Sequence, residues 1–253
     1  TTYPNTQCLR YFDRYFGDRK ALLNDINSYR DGIFLRNAHQ LHTVPFHDAV
    51  REDEINKLAC WCATGAGKTL LMHINKLQVD YYAEKYGVKF GNMLLVTPNA
   101  GLSSQHIDEL QKSDILCYRF DKSKLNDSFK GQYLQVIEIT KLNDEDGDKS
   151  VDVECFEKNN FVLVDEGHKG TSGEQKKWKP NRNKLSEKGF CIEYSATFKQ
   201  SIDSEKTLNK RNALLREYGV STLFNYSYRY FYEDGYGKDF QTKNISENFD
   251  EHQ

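Results

Sequence analysis

Eight residues of this sequence, Cys62 to Thr69, combine the residue types that bind phosphate groups; they read C-A-T-G-A-G-K-T. Gly65 and Gly67 allow the backbone to turn its N–H groups toward an anion, which the amino end of a following helix would also attract. In such a loop Lys68 would reach the terminal phosphates and the Thr69 hydroxyl would hold Mg²⁺. The residues expected around the phosphates are Thr64, Gly65, Ala66, Gly67, Lys68, Thr69 and Leu70.

The loop departs at one position from the pattern G-x-x-x-x-G-K-[ST], because Cys62 stands where the pattern has its first glycine. The alternative interpretation is a glycine-rich turn beside an ordinary surface lysine. The flanking residues favour phosphate binding, since an apolar strand-like run at 58–62 precedes the loop. An apolar helical pattern from Leu70 to Tyr81 follows it, which gives the order strand, loop, helix that such a loop requires.

Two neighbouring carboxylates follow the most apolar segment of the chain, residues 161–164. Asp165 suits a Mg²⁺ ligand beside a phosphate-binding loop, and Glu166 could orient or deprotonate an attacking water. Taken alone, the sequence D-E-G-H at this place is also typical of a turn that ends a strand. A further apolar segment, residues 190–194, ends in Ser195-Ala196-Thr197.

The elements that must position these groups alternate between strand and helix. Apolar strand-like segments occupy 58–62, 93–96, 115–118, 133–137, 161–164 and 190–194, with helical patterns between several of them. This alternation predicts an α/β fold with a mostly parallel central sheet flanked by helices. Because ligands bind at the carboxyl ends of strands in such a sheet, the separate motifs should meet in one crevice.

Composition excludes few functions. The formal net charge is −2, so any contact with nucleic acid must come from a local patch. Six scattered cysteines without a C-x-x-C pair indicate free thiols in a reducing compartment, and we expect a cytoplasmic protein.

No signal peptide and no apolar run of membrane-spanning length are found. His39, His42 and His47 lack a cysteine or carboxylate at ligand spacing, which argues against a metal site.

Four motifs occur in a fixed order: A-T-G-A-G-K-T, T-P-N at 97–99 with Gln105 downstream, D-E-G-H at 165–168, and S-A-T. They resemble motifs I, Ia, II and III of superfamily two helicases and translocases of the DEAD/DEAH type. D-E-G-H together with Y-S-A-T-F most resembles the helicase subunit of type III restriction enzymes. The resemblance covers about residues 55 to 200 and implies the first of two RecA-like domains, with ATP and Mg²⁺ as cofactors.

The resemblance also implies a role for each matching residue. Lys68, Asp165 and Glu166 would be catalytic, with Thr69 and Asp165 holding Mg²⁺. The residues that would couple the nucleotide state to nucleic acid are His168, Ser195, Ala196 and Thr197. The residues that would lie along the nucleic acid are Thr97, Asn99, Gln105, Lys141 and Lys169. Gln40 would read the adenine edge, although the residues around it match the family poorly.

On this basis we predict three segments: a helical extension at 1–54 containing the adenine-reading glutamine, a RecA-like ATP-binding domain at 55–217, and an aromatic connector and tail at 218–253. Helices are expected at 18–29 and 44–56. The aromatic residues that alternate from Phe224 to Tyr232 predict a half-buried strand rather than a base-stacking ladder. Basic residues between Lys169 and Lys188, with Trp178 among them, suggest either a nucleic-acid groove or a solvated surface.

No arginine-finger motif follows Thr197, so we expect a piece of a larger protein that binds nucleotide but hydrolyses it slowly without a second RecA-like domain. The predicted partner is nucleic acid, DNA rather than RNA, with a nuclease or methyltransferase subunit as a further partner and a role in restriction or anti-phage defence. The alternatives are an RNA helicase, a nucleotide-gated scaffold and a P-loop kinase. A kinase would leave T-P-N and S-A-T unexplained.

Overall fold

The computed structural model describes residues 2–28, 48–124, 131–143, 150–166 and 178–237. The predictions for Gln40, for the three histidines 39, 42 and 47, and for His168 and Lys169 lie outside these ranges. Within the described ranges, no helix combines the length and the apolar character needed to cross a bilayer.

The helices and strands alternate along the chain as the sequence predicts. The helices are α1 (Thr2–Gly17), α2 (19–28), α3 (Lys68–Lys85), α4 (Ala100–Lys112), α5 (Trp178–Leu185), α6 (Phe198–Asp203), α7 (Leu208–Ser221) and α8 (Tyr228–Glu233). The strands are β1 (Lys57–Cys62), β2 (Met93–Thr97), β3 (Cys117–Arg119), β4 (Leu134–Glu138), β5 (Leu142–Asn143), β6 (Val151–Asp152), β7 (Phe161–Asp165), β8 (Phe190–Ser195) and β9 (Thr222–Tyr226).

The main sheet has seven strands in the order β3-β4-β2-β7-β8-β1-β9, and every neighbouring pair is parallel. All residues of the central strands β1, β2 and β8 are buried. Burial on both faces explains why these strands read as continuous apolar runs instead of alternating polar and apolar residues. The predicted α/β fold, a mostly parallel sheet flanked by helices, is confirmed.

Successive residues of each strand face opposite sides of the sheet and enter different cores. On one side, Leu95 and Leu163 join a core that includes α1 and α3. On the other side, Leu94 and Val162 pack against residues from the 142–156 segment and α5. A third cluster, around Ala59, lies under α6 and α7. The sheet is therefore covered by helices on both faces.

The described parts of both segments that flank the predicted 55–217 domain pack on its sheet. Phe12 of α1 is fully buried, and its ring contacts that of Phe190 in β8 edge-on, with 5.7 Å between centroids. The Tyr11 hydroxyl donates a hydrogen bond to the Ile55 carbonyl. At the other end, β9 pairs with β1 as the edge strand of the sheet. The proposed divisions at 54/55 and 217/218 thus do not coincide with breaks in the packing, and the segment roles stay a prediction.

Two expectations about local structure are wrong in part. Described residues 48–56 contain only a short 3-10 turn, Glu52–Glu54, where a helix was expected from 44 to 56. The aromatic alternation forms a strand only as far as Tyr226, and Tyr228–Glu233 is helical. Ser227 ends the pairing with β1, and without a neighbouring strand the aromatic residues beyond it no longer favour extended structure. The helix expected at 18–29 is confirmed by α2.

Candidate active site

The loop predicted to bind phosphate connects β1 to α3, in the strand, loop, helix order that the sequence indicates. Gly65 and Gly67 both adopt φ of +82°, a left-handed conformation that L side chains rarely take. The Ala66 N–H donates to the Ala63 carbonyl at 3.1 Å, which closes the turn before the helix. α3 begins at Lys68 with Gly67 as its N-cap, and no side chain caps it. Since the space beside both glycines is open, the first N–H groups of the helix form a cradle suited to phosphate oxygens.

Cys62, which replaces the first glycine of the pattern, is the last residue of β1 and is 2% exposed. Burial raises the pKa of its thiol to about 12, although Lys68 partly opposes this shift. The group therefore stays a neutral thiol that packs in the core. The turn that needs glycine starts two residues later, so the departure from the pattern leaves the loop intact.

Lys68 forms an ion pair with Glu166 across the top of the sheet, from its Nζ atom to Oε1. Strand β8 lies between β1 and β7, so the two backbones are about 10 Å apart and only long side chains can meet. Glu166 adopts φ of +54°, which is unusual for a residue other than glycine and marks a sharp turn at the end of β7. Thus two residues predicted to be catalytic, 98 positions apart, meet directly.

Asp165 contacts a residue that the sequence interpretation missed. Its Oδ2 atom lies 3.0 Å from Nε2 of His106, which is 4% exposed on the inner face of α4. The motif spacing did not identify His106. Its neighbour Gln105 belongs to a predicted motif, but adjacency in the sequence does not show which side of α4 faces the sheet. The helical spacing of Ser103, His106 and Leu110 gives the available signal, since all three are buried.

The S-A-T segment begins at Ser195, the last residue of β8, between the ends of β7 and β1. The Thr197 N–H donates to the Ser195 hydroxyl at 3.0 Å, and the Trp61 indole N–H donates to the Ala196 carbonyl at 3.0 Å. Ser195 is fully buried, and the buried Thr197 hydroxyl has no hydrogen-bond partner among the described residues. Through Trp61, the predicted coupling segment is attached to the strand that carries the phosphate-binding loop.

The residues predicted to lie along nucleic acid differ in how accessible they are. Thr97 is 1% exposed, and its hydroxyl lies 2.6 Å from that of Ser103, so its side chain cannot contact nucleic acid in this conformation. Asn99 caps α4 by accepting from the Leu102 N–H. Gln105 is exposed and donates to Glu109, and Lys141 pairs with Glu138 at 3.4 Å. These last three lie beside the carboxyl ends of β2 and β4.

The comparison with protein families agrees with this geometry. The model of the family described as type III restriction enzyme, res subunit, matches residues 21–200, more than half of the chain. The chain belongs to this family. The ion pair between Lys68 and Glu166 joins two of the motifs on which the sequence resemblance rests, the glycine-rich loop and the D-E-G-H segment.

Solved structures similar to this chain are distant in sequence. One is the Sulfolobus solfataricus SWI2/SNF2 ATPase core in complex with dsDNA, at 15% identity and a TM-score of 0.38, covering 66% of this chain and 31% of that one. Another is the arterivirus nonstructural protein 10 helicase with DNA, at 16% identity and a TM-score of 0.34, covering 66% and 35%. The chain thus spans about a third of the length of these proteins. No curated protein matches it significantly.

The residues present fit a Mg²⁺–nucleotide complex. Mg²⁺ in such sites takes one or two protein ligands and completes its shell with phosphate oxygens and water. Thr69, in the first turn of α3, and Asp165, at the end of β7, supply a hydroxyl and a carboxylate at the same edge of the sheet. No group of three or more metal-binding side chains occurs among the residues that the structure describes.

Two cations of the basic run before β8 are held inside the molecule and do not form a phosphate-binding surface. Arg182 is 1% exposed and pairs with Glu193 and Glu217, and Lys179 also pairs with Glu217. Burial lowers the pKa of Lys179 to about 8, against the attraction of Glu217. These cations belong to an ion network inside the molecule. The nucleic-acid interpretation of the run therefore does not hold for Arg182 and Lys179.

Proposed function

We propose that this chain is the ATP-binding part of an enzyme that couples ATP hydrolysis to translocation on DNA or to separation of its strands. The observation that carries the proposal is the meeting of Lys68 with Glu166, beside Asp165, at one edge of a parallel sheet. A phosphate-binding loop alone would suit a kinase or a GTPase. The S-A-T segment attached to Trp61 and the family membership favour a nucleic-acid motor.

Each side chain has a defined task in this proposal. Lys68 and the N–H groups of the loop bind the β- and γ-phosphates and neutralise their charge. Thr69 and Asp165 hold Mg²⁺, which would stabilise the negative charge that develops on the phosphate oxygens. Glu166 orients the attacking water and accepts its proton. Since Glu166 and Lys68 are paired in this structure, bound phosphate must compete with the carboxylate for Lys68.

The roles of the remaining site residues and of the partners are also proposals. Asn99, Gln105 and Lys141 would contact the nucleic-acid backbone, with His168 and Lys169 contributing from the segment between β7 and α5. Gln40 would read the adenine. A second RecA-like domain of the full-length protein would supply the arginine that completes the site, and such an arginine accelerates hydrolysis by about 10³-fold or more. A nuclease or methyltransferase partner would fit a DEAD/DEAH-type enzyme in restriction or anti-phage defence.

The test is ATP hydrolysis by the full-length protein, measured without polymer and with single-stranded DNA, duplex DNA or RNA. We expect DNA to stimulate turnover and Lys68→Ala to reduce it by about 100-fold or more, because the variant removes the charge that binds the transferring phosphate. Lys85→Ala is the matched control, since it removes a lysine from the far end of the same helix, about 25 Å away. It should hydrolyse ATP as the wild type does.

The outcomes separate the alternatives. Stimulation by RNA alone would replace the DNA proposal with an RNA helicase. Hydrolysis that no polymer stimulates would contradict a motor function and favour a nucleotide-gated scaffold. Transfer of the γ-phosphate to a small molecule instead of water would indicate a kinase.

A further inference from the structure

The inward face of α4 carries a histidine that no motif of the chain assigns. Ser103, His106 and Leu110 line this face, and all three are buried. The helix is held at its amino end by the Asn99 cap and by the contact of Ser103 with Thr97. His106 is therefore presented to the end of β7 from a fixed helix rather than from a mobile loop.

The contact between His106 and Asp165 has a defined chemical direction. The two atoms, Nε2 and Oδ2, are 3.0 Å apart, and the side chains are 4% and 10% exposed. A carboxylate that binds Mg²⁺ is ionised and only accepts hydrogen bonds, so in that state Nε2 carries the proton and donates it. Among the described residues, the other ring nitrogen, Nδ1, is buried and has no hydrogen-bond partner. The orientation of the ring is thus fixed by its packing and by Asp165.

We propose that His106 is a positioning residue that holds the carboxylate of Asp165 in the orientation in which it binds Mg²⁺. The inference rests on the proposed function, in which Asp165 is the metal-binding carboxylate. A carboxylate at a strand end can rotate, and a hydrogen bond to one of its oxygens reduces this freedom before the metal binds. Groups that orient a metal ligand in this way affect metal affinity by about 10-fold to 100-fold when they are removed.

A second buried histidine provides the matched control. His73 lies in α3, is 4% exposed and makes its hydrogen bond to the Ser113 hydroxyl at 2.8 Å. It packs in the same layer of helices, and its hydrogen bond is to Ser113 rather than to Asp165. If the role of His106 were only to fill the core, replacing either histidine would have the same type of effect.

The experiment compares His106→Leu, His106→Gln and His73→Leu in the full-length protein. Thermal unfolding measures stability, and a fluorescent ATP analogue titrated at a series of Mg²⁺ concentrations, and in EDTA, measures nucleotide binding and its metal dependence. We expect His106→Leu to raise the Mg²⁺ concentration for half-maximal binding by about 10-fold or more, with binding in EDTA unchanged. His106→Gln, whose side-chain amide can donate to Asp165, should keep the Mg²⁺ concentration for half-maximal binding close to that of the wild type. His73→Leu should alter only stability.

An unchanged Mg²⁺ dependence in His106→Leu, with a lowered melting temperature like that of His73→Leu, would overturn the assignment and leave the proposed function standing. An equal rise in the Mg²⁺ concentration for half-maximal binding in His106→Gln and His106→Leu would overturn it as well, because the donated hydrogen bond would then be irrelevant. A wild-type protein that shows no Mg²⁺-dependent nucleotide binding would instead contradict the proposed function itself.

Discussion

At the scale of single residues, the pairing of Lys68 with Glu166 is the feature with the most direct consequence. Both groups are largely shielded, at 13% and 20% exposure, so their attraction is less screened than that of a surface pair. In the proposed function, phosphate binding separates them, and the freed carboxylate then becomes available to water. On that proposal the ion pair opposes nucleotide binding while it holds both side chains near the positions in which they would act.

Glu166→Gln tests this arrangement. The variant removes the charge that competes for Lys68, so ATP should bind at least as tightly as it does to the wild type. Hydrolysis should fall by about 100-fold or more, because the general base is lost. Equilibrium binding of a fluorescent ATP analogue and single-turnover hydrolysis measure the two effects separately.

Asp80→Asn is a suitable control, because it removes the carboxylate from another lysine pair, Lys76–Asp80, in the same helix α3. It should leave nucleotide affinity and turnover as they are. Weaker ATP binding by Glu166→Gln would show that the ion pair does not compete with phosphate.

At the scale of elements, the register between β7 and β8 decides how the D-E-G-H and S-A-T segments lie relative to each other. Asp165 stands opposite Tyr194, one residue before Ser195. The register is set at the other end of the strands, where the Phe190 N–H donates to the Asn160 carbonyl at 3.0 Å. Gly189 makes this approach possible, because a Cβ there would lie 2.6 Å from the Asn160 nitrogen and closer still to its carbonyl oxygen.

Gly189→Ala should therefore destabilise the protein by about 1–3 kcal/mol, since buried backbone must move to admit one methyl group. Urea unfolding would measure the loss. Gly101→Ala is the control, because a Cβ in that helix would have its nearest neighbour at 3.4 Å and alanine favours helix. If both variants lost stability equally, the close approach of β7 and β8 would not be the cause.

At the scale of the whole molecule, a buried ion network joins the sheet to the helices that cover it. Lys57 of β1 and Arg182 of α5 both pair with Glu193 of β8 and with Glu217 of α7. The Tyr218 hydroxyl donates to Glu193 at 3.1 Å. Buried charges of this kind persist only where each has a partner, so the network specifies how α5 and α7 sit on the sheet.

The network predicts a pH dependence of stability. Burial alone would raise the pKa of Glu217, but Lys57, Arg182 and Lys179 outweigh it and hold that pKa well below the ordinary value of 4.5. Below about pH 4.5 the unfolded state therefore binds a proton at Glu217 that the folded state does not. The stabilisation is present above this pH and is lost as the pH falls toward the folded pKa.

Glu217→Gln removes this titration. The variant should be less stable than the wild type at pH 7, and its stability should fall less steeply between pH 4.5 and pH 3. Thermal unfolding at a series of pH values measures the slope. Glu233→Gln, which alters an exposed pair with Arg229, should keep the wild-type slope. If the stability of Glu217→Gln fell with acid as steeply as that of the wild type, the network would contribute nothing to acid sensitivity.

Much of the fold and the centre of the site could be predicted from the sequence. Segments buried on both faces of a parallel sheet are continuous apolar runs, so β1, β2, β7 and β8 were recognisable individually. The phosphate-binding loop was recognisable because left-handed backbone at 65 and 67 requires glycine. The partners of long side chains could not be predicted from the sequence. Arg182 and the other cations of its run look the same in sequence whether they face water or a buried glutamate.

The sequence by itself determined the order of strands and helices, the loop from Cys62 to Thr69, and the acidic and S-A-T segments that follow two apolar strands. These features depend on local backbone preference and on burial, and both can be inferred from the types of neighbouring residues. Only the tertiary structure decided that Lys68 meets Glu166, that His106 meets Asp165, and that α1 and β9 complete the core. Those contacts join residues far apart in the chain, and their existence depends on strand order and on the side of each helix that faces the sheet.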